Sequence, residues 1–150
     1  MSVSVSYGDV GEAAGSFQRS IICAHPLPDV VARLREAIEA ADLWVLHEID
    51  PQALLERGGY AIRPARQILF FHPRLMARLL AADPAALIEA PLKFAVLDLP
   101  DGAVSVRWND PAAAFARYGN AALTTLGQEF ASVCEQIAAV SLGSRAAPDS

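Results

Sequence analysis

From Phe17 onward the apolar positions follow two rhythms, one of period two and one of three to four, and their alternation predicts the elements of the chain. "FQRSIICAH" reads as a strand. "LPDVVARLREAIEAAD" follows it and sets Val30, Val31, Leu34, Ala37 and Ile38 on one helical face. "LWVLHEID" is short, apolar and bounded by Asp50-Pro51, so the pattern returns to strand. "PQALLERG" predicts a short helix closed at Gly58-Gly59, where glycine suits a left-handed cap. "RQILFF" is the next strand, and "PRLMARLLAAD" a helix that stops before Asp83-Pro84.

The clearest local signal is "LKFAVLDLPDGAVSVRWNDP", two alternating runs around Pro100-Asp101-Gly102. Proline presets φ and glycine permits a positive one, so the stretch predicts a β-hairpin. Val104, Val106 and Trp108 then share one face, and Ser105 and Arg107 the other. Asp110-Pro111 starts a further helix. The last long helix carries Leu123, Leu126, Phe130, Val133, Ile137 and Val140 at alternating spacings of three and four, a seam that needs a partner surface. Leu126, Phe130, Val133 and Ile137 are therefore candidate interface residues, either against the chain's own core or across a homodimer. Residues 1–16, rich in Ser, Gly and Ala, read as a mobile arm in which Val3, Val5 and Tyr7 alternate well enough for a short edge strand; 17–142 read as a single α+β domain and 143–150 as a flexible tail.

Composition narrows the class. A chain of 150 residues with 53% apolar and 19% charged residues suits one compact domain and not a disordered chain. The net charge of -5 disfavours nucleic acid as a bulk electrostatic partner. Cys23 and Cys134 stand far apart with no CxxC spacing, which argues against a disulfide framework or a structural zinc site. The first residues lack the basic and apolar regions of a secretory signal, and no apolar run reaches the roughly 18 residues that span a bilayer. The expectation is a cytoplasmic protein with no membrane and no nucleic-acid partner.

Three segments taken together, "VVARLREAIEAADLWVLHEID", "RQILFFHP" and "APLKFAVLDLPDGAVSVRWNDP", resemble in order and separation the bacterial family known as domain of unknown function 302, over about residues 17–119. The resemblance implies an α+β fold with a curved antiparallel sheet backed by helices, similar to the TATA-binding-protein-like fold, here with an added C-terminal helix. It also implies a homodimer, and it implies no activity and no cofactor. Many relatives carry Asn before the proline where this chain has His72, and some carry Cys or His near the positions of Phe71, Pro51 and Leu92, so metal or thiol chemistry tied to those positions does not carry over.

The candidate chemistry begins at His72. Asp50-Pro51, Asp83-Pro84 and Asp110-Pro111 each place a cap acceptor before a proline at the first helical position. His72-Pro73 repeats that grammar with a neutral imidazole as the expected acceptor. Around it, Arg57, Arg63, Arg66, Arg74 and Arg78 fall in a stretch, Arg57 to Ala82, that contains no acid. A small anionic ligand near His72, Arg66, Arg74 and Arg78 would offset them, and so would Asp98, Asp101, Glu89 or a subunit partner. Cys23, His25 and His47, joined in space by His72, are a weak metal set whose spacing fits no recognised motif. The same Cys and His residues suit a nucleophile and its base. Glu48 and Asp50 pair as carboxylates on one strand face, while Trp44, Trp108 and Phe94 suit a pocket or a core. No catalytic constellation stands out, so a homodimeric binding or regulatory module is preferred to an enzyme, or to an interaction module docking through the C-terminal helix.

Overall fold

The computed structural model describes residues 2–7 and 17–143, so most of the expected tail and most of the expected arm lie outside the described residues. In chain order the elements are β1 (Val3–Ser4), β2 (Gln18–Cys23), α1 (Leu27–Ala40), β3 (Trp44–Ile49), α2 (Pro51–Arg57), β4 (Tyr60–Ala61), β5 (Ala65–Phe71) and α3 (Pro73–Ala82). A 3-10 turn, Pro84–Glu89, leads to β6 (Leu92–Asp98), β7 (Val104–Asn109), α4 (Pro111–Ala116) and α5 (Ala121–Ala138), which runs on into a π-helical turn at Ala139–Gly143. Five strands form one antiparallel sheet in the order β2-β7-β6-β5-β3, and β1 pairs in parallel with β4. The fold is α+β, an open antiparallel sheet backed by helices, as expected.

One face of the sheet makes the core. Ile68 and Phe70 of β5, Phe94 and Val96 of β6, and Val104 and Val106 of β7 are all fully buried. Phe70 stacks on Phe94 with ring centroids 4.9 Å apart. Against them α1 packs Val30, Leu34 and Ile38, the residues its three-to-four spacing set on one face. Each such side chain contributes roughly 1.5–3 kcal/mol by leaving water. From α5, Phe130 meets Phe71 and Phe115, with centroids 5.3 and 5.5 Å away. No helix among the described residues is long and apolar enough to cross a membrane.

One expectation needs correction. The strand read through "FQRSIICAH" ends at Cys23 and leaves His25 in the bend before α1, because β7, its only ladder partner, begins with Val104 opposite Cys23. The hairpin alternation holds, but Ser105 and Arg107 are buried as well as Val104, Val106 and Trp108. β7 is an inner strand flanked by β2 and β6, and on its polar side the Arg107 Nε–H donates to Gln18 Oε1 at 3.0 Å.

Candidate functional site

The four proline-led helix starts behave alike. Asp50 accepts from the Ala53 N–H, Asp83 from Ala85 and Asp110 from Ala112. His72 Nδ1 accepts from the Arg74 N–H at 3.1 Å, so that nitrogen carries no proton, and the ring lies edge-on to Trp44 at 5.1 Å. Of the surrounding arginines, Arg63, Arg66, Arg74 and Arg78 have carboxylate partners. Arg74 pairs with Asp42 at 3.1 Å, and Arg66 with Asp50 at 3.1 Å and Glu48 at 3.6 Å. Arg78 grips Glu129 through two bonds of 2.8 and 3.0 Å, which hold the Glu129 carboxyl below its usual range. The offset therefore comes from Asp42, Asp50, Glu48 and Glu129; of the acids weighed from sequence, Asp98 pairs with Arg63 and Glu89 with Arg117. Arg66, Arg74 and Arg78 are each turned to a different carboxylate and His72 to its own helix start, so the four do not share one partner.

Cys23 and His47 lie on β2 and β3, opposite edges of the sheet. Four steps of about 4.8 Å separate the two strands by roughly 19 Å across the sheet. His25 is in the bend beyond β2, and among the described residues no three His, Cys, Asp or Glu side chains form a metal-holding group. Leu126, Phe130 and Ile137 are 1–2% exposed inside the single chain, and Val133 is half-buried. An interface at the first three positions would require opening the core.

The concave feature lies elsewhere, where the hairpin comes apart. Pairing between β6 and β7 runs from Asp98–Val104 to Ala95–Arg107 and stops. Beyond that step Leu92, Lys93 and Phe94 pair only with β5, and Trp108 and Asn109 only with β2. Continuing the register would set Phe94 against Trp108 and Pro91 against Pro111. The two rings meet edge to face at 5.4 Å, and neither proline has an N–H to give a ladder. The strands fork, and the fork holds a cleft of about 580 Å³.

Residues of both sheet faces line it, since it passes between the strands. Gln67, Lys93, Ala95 and Arg107 come from the polar side, and Trp108, Phe115 and Cys134 from the core side. Beyond the fork the diverging segments are tied together again: Tyr118 donates to Glu89 Oε2 at 2.6 Å, and Arg117 reaches the same oxygen at 3.3 Å. That bond raises the Tyr118 phenol above its usual range. Burial pushes the Cys134 thiol up to about 12, so it is a neutral, unreactive wall group.

Two lining groups have no counterpart. Lys93, the only lysine of the chain, makes no ion pair among the described residues. Trp108 is 6% exposed, yet its Nε1–H has no acceptor among them. Sequence pattern marks neither residue as a ligand contact, although Trp108 suits a pocket. The available signal was the placement of Pro91 and Pro111 equally far on either side of Asp101, which limits how far the hairpin can zip.

Comparison with known proteins agrees with this architecture. The family model described as "Domain of unknown function DUF302" matches residues 20–140. The crystal structure of an uncharacterized conserved DUF302 protein from Bacillus stearothermophilus is similar with a TM-score of 0.74 at 17% identity, over 85% of this chain and 97% of that one. No curated protein matches the chain.

Proposed function

The chain belongs to the DUF302 family, and from that premise we propose that it is a binding module for a small anionic molecule taken up in the fork between β6 and β7. One observation carries the reading. A cleft of about 580 Å³ has on its wall the chain's only lysine, with no ion pair among the described residues to neutralise it. Small-molecule sites typically occupy about 300–1,000 Å³ and combine apolar walls with a few polar groups. Pro91, Leu92, Ala114 and Phe115 provide such walls.

An enzyme reading has less support, because Cys134 is held as a protonated thiol and Cys23 stands across the sheet from His47. Docking through the C-terminal helix has less support too, its seam being closed inside the chain.

The reading is tested by thermal shift against benzoates, fatty acids, inorganic phosphate and nucleotides, on wild type, Lys93→Met and Arg74→Ala. A ligand at a hundred times its Kd stabilises by about 2.7 kcal/mol, or several degrees. The expected outcome is an anion-specific shift that Lys93→Met abolishes and Arg74→Ala leaves intact. A shift that survives Lys93→Met, or none with any anion, would remove the reading.

A further inference from the structure

We infer that the molecule held in the fork is a monoanionic hydroxy acid, its carboxylate at the Lys93 ammonium and its hydroxyls at the side-chain amides of Gln67 and Asn109. The inference rests on the fork being the binding site and specifies which acids that site selects.

Strand register builds the polar end of the cleft around a small residue. Ala95 of β6 stands opposite Gln67 on β5 and opposite Arg107 on β7. Alternation along β6 puts Lys93 and Leu97 on the same side of the sheet as Ala95, and alternation along β7 puts Asn109 on the side of Arg107. Longer side chains therefore stand around a single methyl group, and all of them line the cleft. Ala95 is the floor of a cup on the polar face of the sheet.

The cup presents groups that the described fold does not use. Lys93 makes no ion pair among the described residues, and the amides of Gln67 and Asn109 have no hydrogen-bond partner among them. Gln18, on the same wall, differs, because its Oε1 accepts from the Arg107 Nε–H at 3.0 Å. An amide both donates and accepts, as a hydroxyl does. A hydrocarbon chain laid over two amides would displace their water and return no bond, whereas a hydroxylated chain replaces what it displaces. Gln67 and Lys93 are diagonal neighbours across β5 and β6, about 7–8 Å apart at Cα, so a short acid spans both.

The charge follows from Lys93, which is exposed, while Arg107 is buried. Glu89, also on the cleft wall, remains an anion held by Tyr118 and Arg117 and opposes a second negative charge. One ammonium facing one carboxylate is the matched arrangement. A phosphate dianion is better served by a cluster of N–H donors at a helix start or by guanidinium forks.

The test compares acids of equal charge and similar size. Gluconate and hexanoate are both six-carbon monocarboxylates, and glucuronate and cyclohexanecarboxylate both join one carboxylate to a six-membered ring. Dissociation constants are measured for all four with wild type, Lys93→Met and the double variant Gln67→Met/Asn109→Ala. In at least one pair, wild type is expected to bind the hydroxylated acid about tenfold more tightly than its hydrocarbon partner. The double variant erases that preference, and Lys93→Met weakens both members of the pair.

A hydrocarbon acid bound as well as its hydroxylated partner in both pairs, or a preference that survives in the double variant, overturns the inference and leaves the fork as an anion site. Failure of every acid to bind wild type overturns the fork reading and the inference together. Should the double variant not fold, the side-chain amide signals of the wild type decide. The chain has two asparagines, and Asn109→Ala, at an exposed position ending β7, identifies the Asn109 NH2 pair. That pair is expected to shift and to exchange more slowly with the preferred hydroxylated acid and not with its hydrocarbon partner. An Asn109 pair indifferent to both would overturn the assignment of hydroxyls to this wall.

Discussion

At the scale of single residues, the chain's punctuation was the most legible part of its sequence. An acceptor followed by proline predicted four helix starts, and His72 performs the same task with Nδ1 that Asp50, Asp83 and Asp110 perform with carboxylates. His72→Asn is expected to leave stability unchanged, while His72→Ala loses about 1 kcal/mol in urea unfolding. Equal losses for both would show that the Trp44 contact, not the cap, is what His72 contributes. The charges nearby were less legible. Arg74 and Arg78 find Asp42 and Glu129, 32 and 51 positions away, so an acid-free stretch of sequence became a set of pairs only on folding. Because Arg74 and Asp42 are both well exposed, Arg74→Ala should cost at most about 1 kcal/mol.

At the scale of elements, apolar spacing identified α5 but could not say what its seam meets. The seam faces Phe71 and Phe115, and its small position, Gly127, is where α4 comes closest. A Cβ there would lie 2.7 Å from Phe115 Cβ and 2.8 Å from the Pro111 carbonyl oxygen. Alanine favours a helix by up to about 1 kcal/mol over glycine. Gly127→Ala is nevertheless expected to destabilise by about 1–3 kcal/mol, because a backbone oxygen cannot step aside as a side chain can. A rise in the unfolding midpoint would mean that α4 shifts freely. Cys134 on the same helix gives a pH signature. Its folded-state value of about 12 exceeds the ordinary 9.0, so its contribution is complete below pH 9 and is lost as pH climbs toward 12, by about 1.4 kcal/mol per unit. Cys134→Ala should flatten that part of the stability curve, and an unaltered alkaline limb would place the loss elsewhere.

At the scale of the whole molecule, the sequence showed which segments are strands and could not show their lateral order. Cys23 and His47 are of the right residue types for a metal set, yet the order β2-β7-β6-β5-β3 sends them to opposite edges. The fork was equally hidden, although Pro91 and Pro111 mark its limit, because hairpin patterning describes where strands pair and says little about where they stop. Across the fork runs the tie from Glu89 to Tyr118 and Arg117, which joins the 3-10 turn before β6 to the end of α4. Tyr118→Phe removes its shortest bond at a half-buried position, so the global melt should barely move. Amide exchange should instead accelerate several-fold at Lys93, Phe94, Trp108 and Asn109, while the Ile21–Val106 and Arg66–Val96 rungs, away from the fork, keep their protection. Uniform acceleration across the sheet would mean that the fork is not a separate opening unit. Acceleration confined to it would identify the tie as the element that sets the width of the cleft, and with it how large an acid the cleft can admit.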